Sequence, residues 1–155
     1  MGTRRLAREL AMQALFSMDM SCTFSSEALA DYRRCFPPSD RSIPFFNRLT
    51  GGVLQYLEDI DRVIERHSNN WKVRRMACVD RNVLRLAVFE LLYCEDIPTK
   101  VSINEAIDIA KKFGASESGG FINGILDSIR IALEKNELVP IPLPPPADNG
   151  SPLKG

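Results

Sequence analysis

Apolar residues recur every three or four positions along most of the chain, which is the pattern of amphipathic helices. The first helix is predicted over residues 4–20, and its apolar stripe comprises Leu6, Ala7, Leu10, Ala11, Ala14, Leu15 and Met18. A second helix is predicted over residues 27–36, where Pro37 and Pro38 end it because proline lacks the amide proton that a helix needs. Period-two alternation is nowhere sustained, so no strands are predicted.

The middle of the chain carries a longer periodic segment over residues 43–64. Gly51 and Gly52 interrupt it. Because each glycine weakens a helix interior by roughly 1 kcal/mol, we expect a kink or a split at this pair. The next helix is predicted over residues 80–93, with Asp80 as its N-cap.

Two more helices are predicted before the chain changes character. Residues 102–105, Ser-Ile-Asn-Glu, have the spacing of a capping box and predict a helix that continues to Phe113, where Gly114 ends it. The last helix is predicted over residues 117–135. These elements predict an all-α fold, a compact bundle of six or seven helices.

The composition separates a folded body from a tail. The chain of 155 residues is 45% apolar and 26% charged, which is typical of one globular domain. Six of its ten prolines lie between Pro140 and Pro152. We therefore predict an extended, disordered tail over residues 138–155, which is also open to interpretation as a proline-rich ligand for a partner.

The net charge of zero conceals an uneven distribution. Residues 62–85 hold seven basic and two acidic side chains, whereas residues 86–137 hold five basic and nine acidic ones. A uniformly basic nucleic-acid coat protein is thus excluded, but partners of opposite charge are not. Arginine outnumbers lysine fourteen to six, and its planar guanidinium suits phosphate and base contacts. Ordinary solvated helix faces are the alternative explanation of the same charges.

The residue types of enzyme and metal sites are sparse. The four cysteines form no C-x-x-C pair and His67 is the only histidine, so no metal site and no cofactor are expected. His67 is predicted at a helix C-terminus, where it complements the helix dipole. No apolar run approaches the ~20 residues of a membrane span, and we expect a cytoplasmic protein whose cysteines are reduced and buried. No active site is predicted.

Three segments together resemble the transcription antitermination factor NusB family. They are RRLARELAMQALF at residues 4–16, DRNVLRLAVFEL at residues 80–91, and IPTKVSINEA at residues 97–106, the last followed by AKKFG at residues 110–114 and FINGIL at residues 121–126. This order and spacing is more specific than any single short motif, and the resemblance covers residues 3–135.

The resemblance implies a fold and a function. It implies two small helical sub-bundles and an RNA-binding domain over residues 1–137. Such proteins bind the boxA element of ribosomal RNA leader transcripts with ribosomal protein S10, also called NusE. They act on RNA polymerase to suppress premature termination, with neither catalysis nor a cofactor.

The resemblance also assigns residues. The three arginines of residues 4–8 occupy the family's arginine-rich start, where phosphate contacts or base stacking are expected. The two lysines at residues 111 and 112 are expected to add further phosphate contacts. The RNA-binding residues implied are Arg4, Arg5, Arg8, Lys111, Lys112 and Phe121.

Other family positions are expected to have different roles. Phe16 is interpreted as a core residue, whereas Phe121 is equally compatible with the core and with base stacking. Asp80 and Glu117 are expected on an acidic surface for the basic protein S10. Asn104 is interpreted as a determinant of the fold.

Alternatives remain at this stage. A NusB-like domain also forms the N-terminal part of ribosomal RNA cytosine methyltransferases, but this sequence has no G-x-G-x-G-like cofactor loop, so we expect that it is not a catalytic part. A purely protein-binding helical adaptor would carry the same arginines as solvated surface. Free homodimers that hide the arginines are a further hypothesis.

Overall fold

A computed structural model describes residues 2–138 of the chain. Over this range it contains seven α-helices, one short 3-10 helix and no strand, so the predicted all-α class is confirmed. The proline-rich tail predicted over residues 138–155 lies outside the described residues apart from Leu138, which packs against the core. The helices are α1 (Thr3–Met20), α2 (Ser26–Cys35), α3 (Ile43–Gln55), α4 (Leu57–Arg66), the 3-10 helix (Val73–Arg75), α5 (Cys78–Tyr93), α6 (Thr99–Phe113) and α7 (Ser118–Glu134).

Helix α5 is the centre of the molecule. It packs against α1, α3, α4, α6 and α7, while α1 packs on α2 and α3 and α6 packs on α7. Two small sub-bundles therefore share α5, and 12 of its 16 residues are buried. Its buried polar side chains are Asp80, Asn82, Arg85 and Glu90, and burial of such groups is costly unless they find partners within the protein.

The break in the middle helical segment lies at Tyr56, four residues after the predicted Gly51–Gly52 position. Helix α3 continues through both glycines and ends at Tyr56, whose backbone leaves helical geometry at φ −113° and ψ 23°. Gly52 lies against α5, where an added Cβ would overlap the Phe89 ring. The glycine thus permits close packing of two helices.

The predicted capping box is wrong. Helix α6 begins at Thr99 with Pro98 as N-cap, so Ser102 lies inside the helix. The Ser102 hydroxyl donates to the Glu90 carboxylate at 2.8 Å, and Glu105 accepts from Arg5 at 3.0 Å. Tertiary contacts to buried charge outweigh the local capping pattern here. The predicted end of this helix at Gly114 is confirmed.

Helix α5 starts at Cys78, not at Asp80, and Ala77 is its N-cap.

The expectation of four buried cysteines is also corrected. Only Cys94 is buried, Cys78 is half-buried, and Cys22 and Cys35 are exposed, all four as free thiols. Cys35 belongs to the short α2, which buries only Leu29. No helix within residues 2–138 is long and apolar enough to span a bilayer.

Candidate nucleic-acid interface

Arg4 is the most exposed of the three arginines at the start of α1. Its side chain is 53% exposed, and its guanidinium lies 3.6 Å from the Asp96 carboxylate and 4.8 Å from the centre of the Phe45 ring. Asp96 is also held by two hydrogen bonds from Arg48, at 2.5 and 3.1 Å. Those bonds lower the pKa of Asp96 well below its usual range, so the carboxylate beside Arg4 stays charged.

Arg5 reaches across to α6. Its Nε donates to Glu105 at 3.0 Å and its Nη2 to Asp108 at 2.8 Å. The hydrogen bond from Arg5 lowers the pKa of Glu105 below its ordinary value, against the opposing effect of burial. Glu105 and Asp108 share the face of α6 that the i, i+3 spacing indicates, and that face binds an arginine of α1.

Arg8 is buried and does not face solvent. Its Nε and Nη2 donate to the two oxygens of Glu90 at 3.0 and 2.8 Å, and both side chains are at most 5% exposed. Ser102 contributes a third hydrogen bond to Glu90. Arg8 therefore joins α1, α5 and α6 from the inside, which differs from the expected position on an RNA-binding face.

An open groove of about 460 Å³ lies at this end of the molecule. Guanidinium groups and apolar side chains both line it, so the groove offers positive charge together with apolar surface. The residues that line it are Gly2, Arg4, Arg5, Arg8, Ile97, Pro98, Val101 and Glu105.

Lys111 and Lys112 continue the basic surface at the C-terminal end of α6, and both are exposed. Lys112 Nζ lies 2.8 Å from the Glu9 carboxylate of α1. Lys111 passes over Gly119 of α7, where an added Cβ would approach Lys111 Cε to 3.2 Å. The two lysines thus connect the arginine groove with the start of α7.

Phe121 lies just beyond this point and is half-buried. Its ring packs edge-on against Trp71, with 6.4 Å between ring centres. Phe16 is likewise only partly buried, although it packs against the core. Phe121 is therefore partly packed and partly accessible to solvent.

The two acids expected at an S10 surface differ in exposure. Glu117 is exposed next to the start of α7 and accepts a hydrogen bond from the Ser116 hydroxyl at 2.8 Å. Asp80 is only 9% exposed, and its buried Oδ1 has no hydrogen-bond partner among the described residues. The acidic surface presented here is therefore mainly that of Glu117.

Several charges that the sequence places in the basic segment are neutralised inside the fold. Burial would raise the pKa of Asp19, but hydrogen bonds from Arg81 and Asn82 outweigh it and lower this pKa. Arg85 donates to Asp19 at 3.1 Å and to both oxygens of Asp61 at 2.8 and 2.9 Å. Arg81 and Arg85 thus fix α5 to α1 and α4 and are not part of an exposed patch.

Sequence reasoning missed the partners of the arginines. Glu90 stands in one of the family segments, yet its pairing with Arg8 spans 82 positions. Asp96 and Trp71 carried no signal beyond residue type. Asn104, expected to support the fold, is exposed. Within residues 2–138, no group of three or more His, Cys, Asp or Glu residues is arranged to hold a metal ion.

Comparisons with known proteins agree on one family. The profile of the NusB family matches residues 5–130. The transcription antitermination protein NusB of Desulfatibacillum aliphaticivorans is 54% identical over 137 residues, which cover 88% of this chain and 96% of that protein. The Bacillus subtilis protein of the same name is 44% identical over 133 residues, which cover 86% and 98%.

Solved structures share the fold. T. maritima NusB superposes with a TM-score of 0.73 at 38% identity, covering 87% of this chain and 97% of that one. A chain from a crystal structure of antitermination factors NusB and NusE in complex with dsRNA gives a TM-score of 0.73 at 27% identity, covering 85% and 98%. The matches therefore extend over nearly the whole length of these relatives.

Proposed function

The chain belongs to the NusB family, and from this premise we propose that it is a transcription antitermination factor. In this role it binds the boxA element of ribosomal RNA leader transcripts together with ribosomal protein S10 (NusE). The complex joins RNA polymerase and suppresses premature termination. The observation that carries the proposal is the match, over almost the full length, to proteins named for antitermination.

The proposed RNA surface starts at the groove beside Arg4 and Arg5 and continues over Lys111 and Lys112 to Phe121. Exposed guanidinium and ammonium groups suit the phosphates, and partly open apolar surface suits the bases of single-stranded RNA. The resemblance of the printed sequence to the family's arginine-rich start supports the same position. Arg8 serves this surface by holding α1 on α5 and α6.

Glu117 is the acidic side chain that we propose for contact with the basic protein S10, because it is exposed beside the RNA surface. Asp80, which is only 9% exposed, is the second acidic side chain that we propose for this contact. The neighbouring structure of NusB with NusE and dsRNA supports a joint complex with RNA.

The proposed activity is binding alone, without catalysis or a cofactor, and its place is the cytoplasm, where bacterial transcription occurs. The names of the bacterial relatives support this assignment.

The test is a titration of labelled boxA RNA and of a scrambled RNA, with and without S10, at several salt concentrations. We expect binding that prefers boxA, strengthens with S10 and weakens with salt. Replacing Arg4 and Arg5 by alanine should lower the affinity and reduce the slope of log K against log salt by about 0.7 per lost phosphate contact.

Arg34→Ala is the matched control, because Arg34 is an exposed arginine on α2 that pairs with Asp31 on the same helix. It should bind RNA as the unaltered protein does. Equal affinity for both RNAs, or no effect of S10, would contradict the antitermination role and favour a general helical adaptor.

A further inference from the structure

Trp71 is an exposed aromatic residue that the function proposed above does not use. It is the only tryptophan of the chain and is 54% exposed. Its ring plane makes an angle of 66° with that of Phe121. In this edge-to-face arrangement, each ring keeps at least one face uncovered by the other. The pair therefore offers flat apolar faces to a ligand.

The loop before Trp71 holds this side chain in place. Asn69 and Asn70 both adopt left-handed backbone geometry, with φ of 53° and 66°, which asparagine tolerates better than other residues with a side chain. The Ser68 hydroxyl donates to the Trp71 carbonyl at 2.8 Å, and the Trp71 amide donates to the Ser68 carbonyl at 3.0 Å. The backbone is fixed while the indole remains in solvent, as expected of a residue that is presented for binding.

Three cations follow the tryptophan closely in the chain. Lys72, Arg74 and Arg75 follow it directly and are exposed. Lys72 lies 4.0 Å from Glu65, whereas within residues 2–138 no carboxylate lies within 4.0 Å of Arg74 or Arg75. Arg81 donates to the Arg74 carbonyl at 3.2 Å, which fixes the backbone and leaves the Arg74 guanidinium available.

The aromatic pair is continuous with the proposed RNA surface. Phe121 touches Trp71 on one side, and two residues before it Gly119 lies under Lys111 of α6. A strand that follows the lysines to Phe121 therefore arrives at Trp71. The unpaired arginines stand three and four residues after Trp71 in the chain.

We propose that Trp71, with Phe121 beside it and with Arg74 and Arg75 as phosphate ligands, is a stacking site for a base of single-stranded RNA. This inference rests on the proposed RNA-binding function and extends its path beyond Phe121. Flat aromatic faces next to several cations are the combination that binds single strands without reading a particular base. A protein partner would bury the same tryptophan as an anchor. Such a partner would also have to supply carboxylates for the guanidinium groups of Arg74 and Arg75.

The single tryptophan makes the site directly observable. Labelled boxA RNA, extended by several nucleotides at either end, is titrated while RNA anisotropy and tryptophan emission are recorded together. We expect emission to change with the same midpoint as anisotropy and acrylamide to quench the bound indole less. Binding by anisotropy with unchanged emission and quenching would overturn this site alone. No binding by anisotropy would overturn the proposed function and this site with it.

Substitutions separate stacking from other contacts. Trp71→Phe should keep most of the affinity, whereas Trp71→Leu and Trp71→Ala should lower it by about 5-fold to about 100-fold. Arg74→Ala and Arg75→Ala should each reduce the salt slope by about 0.7. Phe36→Ala is the control, because Phe36 is 61% exposed at the end of α2, and we expect it to change affinity less than 2-fold.

Circular dichroism melts of all variants report whether the fold is intact. Because Trp71 is exposed, we expect its variants to remain folded. Trp71→Ala and Trp71→Leu variants that bind RNA normally but lose S10 would show that this site belongs to a protein partner, which overturns the proposal.

Discussion

Arg8 and Glu90 form a complete ion pair among the packed helices α1, α5 and α6. Their two hydrogen bonds, at 3.0 and 2.8 Å, are supplemented by one from Ser102. A buried pair of this kind contributes little relative to apolar residues of similar volume, but removal of one partner strands the other charge. Loss of Arg8 alone is therefore expected to cost more stability than the intact Arg8–Glu90 pair contributes.

Arg8→Met should lower the free energy of unfolding by about 3–5 kcal/mol, because Glu90 is left charged and buried. Urea denaturation measures this change. The double variant R8M/E90L should recover most of the loss, since no buried charge remains.

Arg34→Met is the matched control, because its partner Asp31 is exposed, and a change of no more than about 0.5 kcal/mol is expected. Equal losses in the single and double variants would show that packing, and not the stranded charge, determines the cost.

The cysteines should differ in reactivity. Burial raises the pKa of Cys94 to about 11, so its reactive thiolate is scarce at pH 8, and burial also raises the pKa of Cys78. Cys22 and Cys35 are exposed. A thiol reagent at pH 8 should therefore label two thiols rapidly and Cys94 last.

Serine replacement of Cys22 and Cys35 should remove the fast phase, and peptide mapping identifies the slow thiols. Rapid labelling of Cys94 in the native protein would contradict its burial.

At this scale the sequence predicts positions better than environments. The arginines of residues 4–8 were found from their family motif, yet Arg8 is buried and Arg5 is held by α6. Their acidic partners lie 82 to 103 positions away in the chain, and a local pattern contains no information about such pairs. Trp71 was missed because an isolated aromatic residue reads the same in a core and on a surface.

At the scale of the helices, Gly52 of α3 lies directly against the Phe89 ring of α5. Gly52→Ala should destabilise the protein by about 1–3 kcal/mol, because the new methyl group overlaps the Phe89 ring. Gly51→Ala should stabilise it by about 0.5–1 kcal/mol, because nothing lies within 4 Å of the added carbon and alanine favours the helix.

Thermal unfolding of the two variants gives the comparison. Similar effects of both substitutions would show that helix propensity alone decides at this pair and that the close approach is unimportant.

Periodicity predicted the helices well because apolar positions recur at helical spacing along them, but their boundaries depended on tertiary contacts that periodicity does not contain. The single predicted segment over residues 43–64 divides at Tyr56, whose ring stacks on Tyr93 of α5 at 4.6 Å between centres. The capping box failed because Ser102 and Glu105 bind charges on other helices. Where a charged group is buried, its long-range hydrogen bonds thus outweigh the local capping pattern.

For the molecule as a whole, His67 makes stability depend on pH near neutrality. Burial lowers the pKa of His67 below its ordinary value of 6.5, and its Nδ1 lies 2.9 Å from the Ser128 hydroxyl of α7. As pH falls, His67 is protonated in the unfolded chain before it is protonated in the folded protein. The contribution of neutral His67 to the free energy of unfolding is therefore complete above pH 6.5 and is lost as pH falls from there toward the lowered pKa.

Denaturation at pH 7.5 and pH 5.5 should therefore show lower stability at the acidic value, and His67→Gln should reduce the difference. The carboxylates with lowered pKa, Asp19, Asp96 and Glu105, lose their contribution to stability only below their ordinary pKa values near 4, outside this interval. An unchanged difference in the variant would exclude His67 as its source.

The absence of net charge also takes on a different meaning once the pairs are known. Arg81 and Arg85 of the basic segment are neutralised within the fold, whereas Arg74 and Arg75 have no such partner within residues 2–138. The exposed part of the basic segment is thus smaller than the sequence suggests, and Arg74 and Arg75 follow Trp71 closely in the chain.

A phosphate that reaches Arg4 and Arg5 meets guanidinium groups that already hold carboxylates. Binding at that end of the molecule is then an exchange of one anion for another, and the protein carries its own competitor. A polyanion that offers charge alone gains little from the exchange, whereas a strand whose bases also find apolar surface gains more. At the proposed RNA surface, the carboxylates Asp96, Glu105 and Asp108 would thereby favour a strand that offers bases together with phosphates over a polyanion that offers charge alone.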